Sequence, residues 1–311
     1  MRTWLVLAAV LAVAAAAAAD ALRGGLRDRD VSGAAPAAER RIVPPGVPSG
    51  FMGTVFYSDP ADGCRLHSLQ LAGFSAAPPP PPDVQACRFS LSPDGARAAP
   101  DGSVWSPFGG VVAVPHGDGF SLEAGPSATI AVRGRAPAFK PDGTLTQVRD
   151  GKLVEWAIDC NPGERLFTLP EDNATARCFR TVYPHPVTSL AWFSNSRFAA
   201  VLPHGGLVIV EDGNVLVRAD LPQFRRASLE LSPKRSFATL WLDGELAGTF
   251  DAGGGPAPIA PVGTVTALAW APSERWLVAA TREGAVFLLR PDTGDARLRR
   301  LDISARDLAW R

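Results

Sequence analysis

The chain reads as an all-β protein built from repeated antiparallel units, and three observations carry that reading. From Phe51 onward, short apolar runs alternate with Gly, Asp and Pro turns, and long helical patterns are absent. The stretch "VTALAWAPSERWLVAATREGAVFLLRPDTG" (Val265–Gly294) opens almost as "VTSLAWFSNSRFAAVLPHGGLVIVEDG" (Val187–Gly213) does. The end of the first apolar run in each unit then recurs at positions 91, 139, 192, 231, 270 and 310, with separations of 48, 53, 39, 39 and 40 residues.

A period near 40 is the length of one four-stranded propeller blade. The marker strands are "FSL" (Phe89–Leu91), "PAF" (Pro137–Phe139), "LEL" (Leu229–Leu231) and "LAW" at Leu190–Trp192, Leu268–Trp270 and Leu308–Trp310. Turn sequences follow them: "SPDG" (Ser92–Gly95), "KPDG" (Lys140–Gly143), "SPKR" (Ser232–Arg235) and "APSE" (Ala271–Glu274). Such residues reverse the chain between antiparallel strands. A second strand comes next, as in "RFAAVL" (Arg197–Leu202), "SFATLW" (Ser236–Trp241) or "WLVAAT" (Trp276–Thr281). After a tight turn a third strand follows, as in "AVFLLR" (Ala285–Arg290), and a weaker fourth ends the unit.

The sixth marker unit is cut off after one strand. "GTVFYSDPADGCRLHSLQLAG" (Gly53–Gly73) reads as the second and third strands of a unit that lacks its first. Joining the two predicts a six-bladed β-propeller over 51–311, with seven blades as the alternative. The C-terminal strand is expected to close onto the N-terminal blade, which would remove two open sheet edges.

The repeats resemble those of the WD40 and TolB-like β-propeller families. Val265–Gly294 looks like a WD40 unit, and "SLSPDGARAA" and "GTVFYSDPADG" look like the TolB type. The resemblance covers about 51–311. It departs from WD40 in lacking the Trp-Asp pair, with Leu289-Arg290 in its place, and the Gly-His pair. It implies a propeller without the usual WD40 hydrogen-bond set.

Residues 1–21 read as a signal peptide or transmembrane anchor. Arg2 precedes an apolar run from Trp4 to Ala19, with small residues before Asp20. Cleaved or not, such a segment exports the rest. Residues 22–50 read as a flexible linker rich in Gly, Pro, Ala and charge. Asp28, Asp30, Ser32, Gly33 and Glu39 have calcium-loop spacing there. Flanking helices are missing, so chance in a charged linker is the better reading, and no metal is expected. Four cysteines in an exported chain permit disulfides, and the sequence-local pairing Cys64–Cys87 and Cys160–Cys178 is expected.

Lys+Arg and Asp+Glu both total 31, so the formal net charge is zero. That argues against nucleic acid as partner. No G-x-S-x-G, S-x-x-K or P-loop sequence occurs. Trp192, Trp270 and Trp310 read as packing between blades, and the glycine run Gly253–Gly255 as a flexible turn. Pro78–Pro82 reads as a stiff extended connection.

Arginines are the most suggestive set. Arg133, Arg135, Arg225, Arg226 and Arg306 fall just before first strands, and Arg149 and Arg282 fall in turns between second and third strands. Both positions open on one face. Guanidinium groups there suit a carboxylate or phosphate partner. His185 and His204 belong to the same loop types, as do Asp59, Asp150 and Glu283.

The expected function is a non-catalytic scaffold, exported or membrane-anchored, that binds a protein or cell-envelope component and needs no cofactor. The alternatives are a propeller enzyme, a hydrolase or lyase on saccharide or peptide, and a small-ligand or ion sensor, each with a site in the central mouth. Fold does not decide among them.

Overall fold

A computed structural model describes residues 53–71, 87–125, 129–156, 178–257, 259, 262–290 and 299–311. The expected leader and linker (1–50), Pro78–Pro82 and Cys160 lie outside these residues. No helix among the described residues is long and apolar enough to cross a membrane.

The described strands form seven sheets, all with antiparallel pairing. Sheet 1 combines β24 (Asp307–Trp310) with β1 (Thr54–Asp59) and β2 (Arg65–Gln70). Sheet 2 is β3 (Phe89–Leu91) and β4 (Ala98–Pro100). Sheet 3 runs β5 (Val104–Trp105), β6 (Val112–His116), β7 (Gly119–Glu123) and β8 (Thr129–Arg133). Sheet 4 runs β9 (Arg135–Phe139), β10 (Leu145–Arg149), β11 (Lys152–Trp156) and β12 (Phe179–Tyr183). Sheet 5 runs β13 (Ser189–Trp192), β14 (Arg197–Val201), β15 (Gly206–Glu211) and β16 (Asn214–Asp220). Sheet 6 holds β17 (Ala227–Leu231), β18 (Phe237–Leu242) and β19 (Glu245–Asp251). Sheet 7 runs β20 (Val265–Trp270), β21 (Leu277–Thr281), β22 (Ala285–Leu289) and β23 (Arg299–Ser304).

The marker spacing predicts six units, and the structure has seven sheets among the described residues. The difference lies between Leu91 and Phe139, where sheets 2 and 3 share an interval read as one unit. Sheet 3 has its own marker, Trp105, followed by Ser106-Pro107-Phe108-Gly109. Its first strand is only two residues long, too short to register as an apolar run. Phe108 also replaces the Asp expected in the turn.

The turn between first and second strands is one device used five times among the described residues. Residue i+3 donates its amide to the carbonyl of residue i: Gly95 to Ser92, Gly109 to Ser106, Gly143 to Lys140, Arg235 to Ser232 and Glu274 to Ala271. Of the turns with this bond directly after a first strand, Gly95, Gly109, Gly143, Arg235 and Glu274 have φ of 72°, 72°, 85°, 62° and 61°. Glycine reaches that left-handed region without strain; Arg235 and Glu274 reach it at roughly 1 kcal/mol or more each. In sheet 5 the corresponding turn closes with the amides of Phe193 and Ser194 on the Arg197 carbonyl. In sheet 1 the same place is where β24 meets β1: Thr54 and Arg311 exchange both backbone hydrogen bonds, at 2.6 and 2.9 Å.

Second strands are apolar on both faces because each sheet packs between two others. In β14, Phe198 and Ala200 join a core shared with sheet 4, and Ala199 and Val201 join one shared with sheet 6. Further cores lie between sheets 3 and 4, 6 and 7, and 1 and 2. First strands of successive sheets lie side by side: β5 by β9, β9 by β13, β13 by β17, β20 by β24 and β24 by β3. This succession of antiparallel sheets, stacked face to face around shared first strands, is propeller-like.

The marker tryptophans are packing residues, as their positions predict. Trp192 and Trp310 are essentially fully buried and Trp270 nearly so. Two reach back to the preceding sheet: Trp192 Nε1 donates to Thr146 Oγ1 at 2.9 Å, and Trp270 Nε1 to Thr239 Oγ1 at 3.3 Å. The disulfide Cys64–Cys87 forms and ties the β1–β2 turn to the entry of β3. Cys178 is disulfide-bonded as well. The Gly253–Gly255 run is more ordered than its composition suggests. Asp251 Oδ1 accepts the amides of Gly253 and Gly255, both at 2.8 Å, which makes a side-chain-organised turn.

Candidate functional site

In these meander sheets the start of the first strand and the turn after the second fall at one end. The loops of sheets 2 and 6 at that end line an open cleft of about 840 Å³. Arg88 comes just before β3, and Asp101 just after β4. Arg225 and Arg226 precede β17, and Asp243 and Gly244 form the β18–β19 turn.

Asp243 organises one wall. Its Oδ1 accepts the backbone amides of both Arg225 and Arg226, at 2.9 Å each. The Asp243 amide returns a bond to the Arg226 carbonyl. These two amides, and then the two guanidinium charges, hold the Asp243 carboxyl below its ordinary value. No hydrogen bond or ion pair among the described residues closes on either guanidinium. Across the cleft, Arg88 Nη1 lies 3.8 Å from Asp101 Oδ2, an ion pair too long for a hydrogen bond. Gly244 leaves room for Arg88, since a Cβ there would lie 3.1 Å from Arg88 Nη2.

Two carboxyls neighbour the cleft. Glu230 in β17 is solvent-exposed yet has protein on every side, and the loss of water around it pushes its carboxyl up; Trp241 opposes that rise most, Asp101 adds to it, and Arg88 and Arg311 oppose it. Burial likewise raises Asp307, at the start of β24, to about 7, with Glu230 and Asp101 acting in the same sense. Two backbone amides oppose that rise: Phe89 donates to Asp307 Oδ2 at 2.8 Å and Leu308 to Oδ1 at 2.9 Å. Asp307 therefore also bonds sheet 1 to sheet 2. Among the described residues, no group of three or more His, Cys, Asp or Glu could hold a metal ion.

The other expected site residues do not share this cleft. Arg135 Nη2 pairs with Asp118 of sheet 3 at 2.8 Å. Arg282 pairs with Glu245 of sheet 6. Arg149 lies over the Phe179 ring, 4.4 Å from its centroid, with Asp150 3.9 Å away. Arg133 ends β8 opposite Gly119, and Arg306 donates its backbone amide to Ser58. His185 sits edge-on to Tyr183, and His204 is exposed in the β14–β15 turn. No hydrogen bond or ion pair among the described residues joins the two histidines. The arginines thus form two inter-sheet pairs, Arg135–Asp118 and Arg282–Glu245, and one convergent set, which is Arg225 and Arg226 with Arg88.

Arg88, Asp101, Glu230 and Asp307 are absent from the sequence-based set. Arg88 satisfies the same rule as the others, an arginine immediately before a first strand. It was legible in "CRFSL" (Cys87–Leu91). Glu230 and Asp307 sit inside the marker strands "LEL" and "DLAW", where nothing local distinguishes a carboxylate beside the cleft from one on an outer surface.

The far ends of the first strands are capped instead. Arg235 Nη1 donates to the Trp192 carbonyl at 2.8 Å and to that of Phe139 at 3.4 Å. Arg311 donates to the Leu91 and Ser92 carbonyls, both at 2.9 Å. These arginines satisfy carbonyls that the ends of β3, β9 and β13 would otherwise leave unpaired. Burial pulls both guanidinium pKa values down.

No family model matches the chain, and no curated protein is similar to it. Among solved structures it is similar to the Myceliophteria thermophila Cps50 (Swd1) β-propeller domain, at 13% identity and a TM-score of 0.43, over 67% of this chain and 75% of that one. A likeness at that level carries no argument about partner or activity.

Proposed function

We propose that residues 51–311 form a seven-bladed propeller, closed by β24 on β1, which serves as a non-catalytic binding scaffold for a protein or cell-envelope component. It is exported, and either secreted or held at a membrane through 1–21. The observation that carries the binding reading is the convergence of Arg88, Arg225 and Arg226 from two non-adjacent sheets on one cleft. The lining sets these three guanidinium groups against two carboxylates, Asp101 and Asp243, and an anionic partner balances the positive surplus.

A second reading has one observation in its favour. Glu230 and Asp307 both have raised carboxyl pKa values beside an open cleft, as acid–base chemistry requires. Against it, both oxygens of Asp307 accept backbone amides, one from Leu308 in its own strand and one from Phe89 that joins sheet 1 to sheet 2, so the residue already has a structural task.

In-cell crosslinking of the tagged full-length protein, followed by mass spectrometry, tests the scaffold reading. A dominant retained protein or envelope component is expected. Retention of nothing above background would overturn the scaffold and shift attention to the hydrolase or lyase.

A further inference from the structure

The geometry points to the Arg88–Arg225–Arg226 cleft as the seat of an acidic peptide segment, whose carboxylates dock on the three guanidinium groups. This deepens the scaffold reading and rests on it.

Four observations converge. First, Asp243 spends one oxygen on two backbone amides and so fixes the Arg225–Arg226 backbone, while the guanidinium groups stay open. Second, Arg88 has only a long contact with Asp101 and can turn to a better acceptor, with the space Gly244 leaves beside it. A bidentate carboxylate offers that better geometry. Third, the cleft is concave, so a protruding chain fits it and a flat bilayer does not. Among the described residues the exposed large apolar side chains, Phe108, Val215 and Leu216, lie on the β5–β6 turn and on β16 and do not line the cleft, so none of them stands ready there for lipid insertion. Fourth, Glu230 and Asp307 place carboxyls next to the cleft. A peptide can present carboxylates to the arginines and main-chain amides to these carboxyls.

The test uses the full chain and fluorescein-labelled hexaglutamate, read by fluorescence anisotropy at low and moderate salt. Hexaglutamate should bind with an affinity that falls as salt rises, and hexaglutamine should not bind. The triple variant Arg88→Gln/Arg225→Gln/Arg226→Gln should lose affinity at least tenfold. Arg275→Gln, in the turn entering β21 at the opposite end, should bind as wild type does. All these side chains are surface groups, so circular dichroism should be unchanged. Equal affinity of the triple variant and wild type would overturn the proposal. So would binding lost equally in Arg275→Gln, which means unspecific charge attraction. Competition by millimolar inorganic phosphate as effective as by the peptide would reassign the cleft to a small anion. Binding confined to vesicles containing phosphatidylglycerol would reassign it to a membrane surface. If crosslinking retains a partner equally well in the triple variant, the scaffold stands and this cleft falls. If hexaglutamate binds through the arginines while no partner is retained, the cleft stands and the scaffold falls.

Discussion

Asp307 concentrates several forces in one carboxyl. Burial, with the fields of Glu230 and Asp101, lifts it to about 7, and the Phe89 and Leu308 amides pull the other way without prevailing. Because the folded chain holds this proton more tightly than the unfolded chain, folding is favoured at low pH. That contribution is lost as pH rises from the ordinary carboxylate range through about 7. Glu230, raised for the same chief reason, adds a contribution of the same sign. The melting temperature should therefore fall between pH 5 and pH 8. In Asp307→Asn, which has no proton to lose, the slope should be shallower. Calorimetric melting of both proteins at several pH values checks this, and identical slopes would show that Asp307 titrates normally. The marker tryptophans tell a simpler story at the same scale. Burial drives them inward, and the Thr146 and Thr239 hydroxyls meet the indole N–H groups that burial would leave unpaired.

At the scale of elements, the recurring first-to-second-strand turn and the disulfide do different work. The turn sets the register of the five sheets that carry it, and where glycine is replaced, as at Arg235 and Glu274, the side chain has another task. Arg235 caps carbonyls, and Glu274 accepts the Lys234 amide at 2.6 Å. The Cys64–Cys87 bond spans 23 residues and anchors the entry of sheet 2, which has two described strands. A loop of that length corresponds to about 3 kcal/mol of chain entropy removed from the unfolded state. The double variant Cys64→Ser/Cys87→Ser should lose stability of that order in urea unfolding. A loss under about 0.5 kcal/mol would mean that the loop is ordered without the bond.

The whole molecule depends on β24. It pairs with β1 through four residues, lies beside β20 and β3, buries Trp310 and sends Arg311 to the carbonyls of sheet 2. Sheets 7, 1 and 2 are thus held by one C-terminal strand. Removing residues 304–311 should abolish cooperative unfolding of the domain rather than lower its stability slightly. Thermal melting of the truncated chain checks this. A sharp, unshifted transition would show that β24 is dispensable.

The strand class, the repeating unit, the pairing of the C-terminal strand with the N-terminal pair, the Cys64–Cys87 bond and the packing role of the tryptophans were legible in the sequence. Each follows from local chemistry: turn residues at fixed offsets, apolar strands of fixed length, and cysteines close in the chain. The sequence also marked Arg225 and Arg226, because arginine before a first strand has a fixed place in such a sheet. The seven sheets among the described residues emerged from the fold alone, since a two-residue strand at Val104–Trp105 is too short for any periodicity to register. The tertiary structure alone brought Arg88 to Arg225 and Arg226 across 137 residues of chain (225 − 88). It alone separated the arginines that pair with neighbouring sheets from those that stay open. Convergence of that kind depends on how the sheets are arranged about their first strands, a property of the assembled sheets that no single stretch of sequence contains.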